Sequence, residues 1–202
     1  MRLDAWHSAP PPHPHPLHTW LTDRGSLTAR IISGISKPPS QAQTQVPPQP
    51  QPLQPLPQFN LVRLIQHLQL PNRDERRDLR LRLGEFAVVR EVVLRVGNRP
   101  LVFAHSVVAK RDLRGAWRGL SRLGSRPLAE MLFHDPTVAR LPMEYKKIDC
   151  RHPLFQRAAK VTNIADKTIW ARRSVFVKQG RALLVTEVFL SVPGADRSAE
   201  EL

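Results

Sequence analysis

The chain predicts an α+β fold, a single antiparallel β-sheet with helices covering one side, and three observations carry that reading. The strongest strand patterns come as hairpins, over 84–108 and 171–190, each turning at a glycine. Helical spacing is confined to short stretches before and between those hairpins. Hairpin connections build antiparallel sheets, whereas parallel strands need long crossovers that this chain does not offer.

Taken in order, residues 17–34 (LHTWLTDRGSLTARIISG) read as helical but break at Gly25-Ser26, where Ser26 suits the cap of a second helix starting at Leu27. Phe59 to His67 reads as a strand and 71–83 as a charged connector. Gly84 to Val96 alternates most clearly. Gly97-Asn98 turns it into a second strand, Leu101 to Val108. Asp112 is placed to cap a helix carrying Leu113, Trp117, Leu120 and Leu123 at helical spacing, closed by Gly124. A short helix follows from Pro127 through Leu128, Met131 and Leu132. Residues 143–149 fit a strand, and Ala171 to Leu190 a hairpin turning at Gln179-Gly180.

Of the 202 residues, two stretches cannot build a core. Residues 9–16 read APPPHPHP, and residues 37–58 hold 8 Pro and 7 Gln in 22 positions. Proline removes backbone donors and glutamine offers little apolar area, so the expected organisation is a flexible Pro/His-rich terminus (1–16), one domain (17–195) interrupted by a disordered insertion (37–58), and a flexible tail (196–202). The remainder is enough for one two-layer domain.

The formal charge of +14 invites a nucleic-acid reading. The arginines argue against it: Arg73, Arg76, Arg77, Arg80, Arg82, Arg111, Arg114, Arg118 and Arg122 are scattered over turns and helix exteriors, not interleaved with aromatics. No specific nucleic-acid partner is expected. Cys150 is the single cysteine, which rules out an internal disulfide and a cysteine-based zinc cluster. There is no apolar leader at the N-terminus and no run of 18 apolar residues, so a cytoplasmic protein without a membrane span is expected. His13, His15 and His18 have metal-like spacing but no second ligand set, and neither metal nor cofactor is expected. His105 shares a face with Leu101, Phe103 and Val107, the setting of a satisfied core histidine more than of a catalyst.

Two residues break otherwise apolar strand faces. Arg90 lies in the alternation Phe86-Val88-Arg90-Val92-Leu94-Val96, and Glu187 in Leu183-Val185-Glu187-Phe189. Alternate residues of a strand share a face, so Arg90 is desolvated with its hydrophobic neighbours and requires an anionic partner. That partner is either Glu187, giving a structural ion pair, or a ligand; parity leaves both open. The Glu187 face is less sharply defined, because Ala182, Leu184, Val188 and Leu190 on the other face are apolar too.

Five segments, WLTDRGSLTAR (20–30), VVREVVL (88–94), RPLVFAHSVV (99–108), LGSRPLAEMLF (123–133) and WARRSVFVKQGRALLVTEVFL (170–190), resemble in order and spacing the chorismate pyruvate-lyase family. The resemblance covers most of the foldable chain. It implies a lyase that cleaves chorismate to 4-hydroxybenzoate and pyruvate without a cofactor, in ubiquinone biosynthesis, and it implies product inhibition. Carried over residue by residue, the family's ligand-binding arginine falls on Arg90, its binding glutamate on Glu187, a backbone-contacting leucine on Leu128 and an early contact on Leu27. The catalytic roles implied are those of Arg90 and Glu187; substrate binding adds Leu27 and Leu128. The chain departs from the family in the Pro/Gln insertion, in a longer stretch around 150–169, and at His105, where members carry Arg. An imidazole there puts the charge balance of the site in question.

The same fold type resembles effector-binding domains of bacterial transcription regulators, so the alternative is a non-catalytic sensor of small aromatic acids. Residues 1–58 are too proline-rich to form the winged-helix domain such a regulator needs. Small-molecule partners, chorismate and 4-hydroxybenzoate, and a monomeric state are expected.

Overall fold

A computed structural model of the chain describes residues 5–36 and 58–193. The insertion at 37–58, apart from Gln58, and the tail at 196–202 lie outside the described residues. Two helices come first, α1 (His18–Thr22) and α2 (Leu27–Ser36). The break between them falls where the sequence placed it, and Ser26 Oγ accepts the amide of Ala29 at 3.2 Å, the cap expected of it.

Seven strands make one antiparallel sheet: β1 (Phe59–Gln69), β2 (Ala87–Val96), β3 (Arg99–Ala109), β4 (Ala139–Arg140), β5 (Glu144–Asp149), β6 (Thr168–Lys178) and β7 (Arg181–Phe189). The order is β1-β2-β3-β7-β6-β4, with β5 also paired to β6. Both hairpins read from sequence are present. At the β6–β7 turn Gln179 and Gly180 adopt φ of 50° and 71°, a left-handed pair whose twist suits a tight antiparallel connection.

Helices and 3₁₀ turns cover one side of the sheet, as expected, and shorter helices reach the other. One face of the sheet packs Val92, Leu94 and Phe189 against Leu21, Leu27 and Ile31 of α1 and α2. The same face packs Val88, Val108, Phe176 and Leu183 against Trp117, Leu120, Leu123 and Leu128. The segment after Asp112 differs from expectation. It forms two 3₁₀ turns, Lys110–Arg114 and Arg118–Arg122, instead of one capped α-helix, and Asp112 makes no side-chain cap. Gly115 breaks the helical path with φ −121° and ψ −117°. The apolar residues nevertheless reach the core, because spacing of three or four serves both helix types. Helix α4 (Leu128–Phe133) follows, with Pro127 as its cap residue.

Two further short helices lie where the sequence suggested only connectors, α3 (Arg73–Asp78) and α5 (Pro153–Ala159), and they add cover on the opposite face. Leu154, Phe155 and Ala158 of α5 pack on Val93 and Phe103. Residues 5–16, set apart from sequence as flexible, include Trp6, whose Nε1 donates to Asp74 at 3.1 Å, and His7, which exchanges backbone hydrogen bonds with Tyr145 at 2.9 and 2.8 Å. No helix among the described residues is long and apolar enough to cross a membrane.

Candidate functional site

Strand register sets the site. Gln66, Arg90, Ser106, Val185 and Ser174 form one row across β1, β2, β3, β7 and β6. The adjacent row carries Val92, Ala104, Glu187 and Arg172. Both rows lie on the face beneath α1, α2 and α4, between the two apolar clusters. Ala104, Val185 and Glu187 sit on the two central strands yet are only half-buried, whereas Leu184, Thr186 and Val188 on the opposite face are fully buried. The covers therefore leave an opening whose floor is this polar belt.

Arg90 is 2 % exposed. Its Nη2 donates to the carbonyls of Gly124 at 3.2 Å and Arg126 at 3.0 Å, while its Nε has no hydrogen-bond partner. No carboxylate among the described residues lies within salt-bridge distance of it. Burial, and then the charge of Arg63, push the guanidinium down to about 10, so it stays cationic at neutral pH. An unpaired cation in such a place costs several kcal/mol, about what a small domain has to spare.

Glu187 is committed elsewhere. Its Oε2 accepts from Arg172 Nε at 2.5 Å. Arg172 is 1 % exposed and its Nη1 also donates to the carbonyls of Trp20 at 2.7 Å, Leu21 at 3.3 Å and Asp23 at 2.7 Å. The structural Arg90–Glu187 ion pair left open by the sequence does not form. Two strand spacings and two residues separate them, roughly 12 Å between backbones.

Leu27 and Leu128 open α2 and α4, one in each cover, and both are buried. At the first helical position a backbone N–H has no carbonyl four residues back to bond. Arg90 holds the Gly124–Arg126 segment that leads into Leu128, and Arg172 links Glu187 to the turn that leads into Leu27. Each charged floor residue is thus coupled to the cover carrying one of the two leucines.

His105 does not share this site. It lies between Ala104 and Ser106 in the strand and points to the opposite face, where Nδ1 is 2.9 Å from Glu91 and Nε2 is 3.0 Å from Glu75. It is a core residue, as its apolar face suggested, hydrogen-bonded to Glu91 through Nδ1 and held at ion-pair distance from Glu75 through Nε2. Burial alone would lower its pKa, but the hydrogen bonds and charges of Glu75 and Glu91 outweigh burial and raise it. An imidazole in place of arginine leaves the charge of the opening unchanged.

The sequence reading passed over Arg172, Arg140, Ser106 and Ser174. One signal was present: Arg172-Arg173 interrupts an apolar strand, so alternation must bury one guanidinium on each face. Arg173 turns to the opposite face and meets Asp74, Asp78 and Glu144 at 3.1, 2.8 and 2.8 Å. Elsewhere an open surface cleft of about 720 Å³ is lined by Arg80, Arg82, Leu83, Gly84, Glu85 and Arg111. It includes no residue of the belt, and its arginines face water, where an anion gains little.

Residues 53–198 match the family model described as chorismate lyase. A probable chorismate pyruvate-lyase of Nitrosomonas europaea is 44% identical over 92% of this chain and 93% of its own length. Proteins of the same description from Thiobacillus denitrificans (40% identical, 88% of this chain and 83% of the relative) and Aromatoleum aromaticum (41%, 93% and 92%) are also similar. Among solved structures, the C-terminal domain of PhnF aligns with a TM-score of 0.52 at 16% identity, over 67% of this chain and 85% of that one. The effector-binding domain of the B. subtilis trehalose repressor aligns at 0.51 and 7%, over 64% and 89%. These two likenesses speak for the fold alone. Sequence and family model together place the chain plainly: it belongs to the chorismate lyase family.

Proposed function

We propose that the chain is a chorismate pyruvate-lyase that converts chorismate to 4-hydroxybenzoate and pyruvate without a cofactor, supplying the first committed step of ubiquinone biosynthesis. The observation that carries this reading is Arg90, a buried cation on the floor of an opening, with a free Nε and no carboxylate partner among the described residues. A planar guanidinium fits a carboxylate through two parallel hydrogen bonds, which an ammonium does not reproduce.

Arg90 would anchor the ring carboxylate. Glu187, roughly 12 Å away by strand geometry, would meet the ring hydroxyl or the ether at the far end. In the reaction the ether C–O bond breaks and the ring loses a proton and becomes aromatic. The enolpyruvate released takes up a proton to give pyruvate. No electrons are exchanged with a third party, and the gain of aromaticity supplies the driving force. What the protein must add is orientation, exclusion of water and a place for the proton. Backbone amides at Leu27 and Leu128 would complete the grip from the covers, and a product anchored by a buried arginine would leave slowly.

A non-catalytic acid sensor is the second reading, favoured only by the likeness of the fold to the effector-binding domain of the trehalose repressor. The two separate when purified protein is mixed with chorismate. Equimolar 4-hydroxybenzoate and pyruvate, abolished in Arg90→Ala, are expected of the lyase. Binding of 4-hydroxybenzoate without either product from chorismate would establish the sensor.

A further inference from the structure

Resting on that reading, we propose that Arg140 is the second anion contact of the site, receiving the carboxylate of the enolpyruvyl arm and so distinguishing the dianionic substrate from the monoanionic product. Arg140 pairs with Phe176 in register and therefore lies on the face of Arg90 and Glu187. Its Nε donates to Ser174 Oγ at 3.0 Å, which brings the guanidinium to the end of the row that starts at Gln66 and Arg90. Arg90 and Arg140 thus bound one polar row from opposite ends, with Ser106, Val185 and Ser174 between them.

Charge makes the same case. Glu187 is neutralised by Arg172, and Asp23 nearby is neutralised by Arg30 at 3.0 Å. Arg140, like Arg90, has no carboxylate within salt-bridge distance among the described residues. Among the described residues Arg90 and Arg140 are thus left without a directly paired carboxylate, Glu187 and Asp23 attracting Arg140 only from beyond pairing distance, and chorismate brings two carboxylates. A product with one carboxylate would leave Arg140 without its partner.

The position also suits the fragment that leaves. Arg140 is half-buried at the seam of the two covers: Nη1 donates to the carbonyl of Arg24 at 2.7 Å in the first, and its guanidinium lies 5.7 Å from the ring of Phe133 in the second. The ring of Phe176, 5.2 Å away, supports it from the sheet. A three-carbon acid released at this seam is beside solvent, whereas the aromatic acid stays deeper, against Arg90.

The test compares wild type, Arg140→Gln and Arg140→Lys for turnover of chorismate and for equilibrium binding of chorismate and 4-hydroxybenzoate, with thermal melting alongside. Arg140→Gln is expected to lower kcat/KM for chorismate by 10- to 100-fold while the Kd for 4-hydroxybenzoate moves by less than about twofold. Arg140→Lys should recover part of the loss. A parallel loss for both ligands would reduce Arg140 to a staple between the covers and overturn the proposal, as would unchanged kcat/KM. If wild type binds chorismate but never turns it over, the lyase reading fails; the proposal then stands or falls on whether Arg140→Gln lowers the ratio of chorismate to 4-hydroxybenzoate affinity. Wild type that does not bind chorismate overturns both.

Discussion

Arg172 and Glu187 meet across adjacent strands, Nε to Oε2 at 2.5 Å, while Arg90 on the same face bonds, among the described residues, only the carbonyls of Gly124 and Arg126. One buried guanidinium is balanced by the protein and the other is not. That asymmetry separates residues holding the site together from residues waiting on a ligand. It also yields opposite expectations for stability and activity at the two positions.

Replacing Arg90 should uncouple the two properties. Arg90→Lys keeps a charge but loses the planar fork, and a lost hydrogen bond to a charged group is worth about 1.5–3 kcal/mol, roughly a 10- to 150-fold fall in kcat/KM. Arg90→Met should inactivate the protein at little cost in melting temperature, because removing an uncompensated buried charge offsets the two hydrogen bonds lost to the carbonyls of Gly124 and Arg126. Activity assays and melts on the same preparations check this. A sharp fall in melting temperature for Arg90→Met would make Arg90 structural.

Glu187→Gln keeps shape and hydrogen-bonding capacity but cannot accept and return a proton at this pH. If Glu187 moves a proton, kcat should drop by about 10²–10⁴ and the pH profile should lose a limb. Catalysis unchanged across pH would exclude proton transfer by this residue.

Much of this arrangement was legible in the sequence. Strand alternation singled out Arg90 and Glu187, and Ser26, Gly97 and Gln179-Gly180 marked their turns and cap. The rest depended on contacts distant in the chain. Helix α3 reads RDERRD, with no apolar stripe to announce it, because Glu75 anchors it through His105 while Asp74 and Asp78 do so through Arg173. Arg172 and Arg140 are harder to read, because beside Glu187 and Ser174 they are fixed by backbone carbonyls of residues 20–24, more than a hundred positions away, and carbonyls leave no mark on residue type.

The cluster on the opposite face should shape stability against pH. His105, with its pKa raised above the ordinary 6.5 by Glu75 and Glu91, contributes stability that is full below about 6.5 and is lost as pH rises through its folded value. Burial works against Glu75 and Glu91, but the hydrogen bonds of His105, joined at Glu91 by Arg157, hold both below the ordinary 4.5; their contribution is full above that value and is lost as pH falls through their folded values. The melting temperature should therefore be highest between about pH 5 and 6.5. In His105→Gln the decline above pH 6.5 should flatten, and melts from pH 4 to 9 on both proteins check it. An equal decline in the variant would place the titration elsewhere.

The Arg172–Glu187 pair calls for a double-mutant cycle. Arg172→Gln leaves a carboxylate without its cation and releases the carbonyls of Trp20, Leu21 and Asp23, so a loss of about 3–5 kcal/mol is expected, the scale for breaking a buried pair. Glu187→Gln alone leaves Arg172 with its three carbonyls and should cost less, because those acceptors still share the charge. The double variant should regain part of the Arg172→Gln loss, since no carboxylate is then stranded, giving a coupling of about 0.5–3 kcal/mol in denaturant melts. Activity should not return with stability: in the proposed reaction Glu187 serves the substrate directly, and Arg172 fixes it beneath the turn leading to Leu27. Recovery of turnover in the double variant would show that neither side chain takes part in the chemistry. Additive stability losses would show instead that Arg172 acts only by holding the α1 carbonyls.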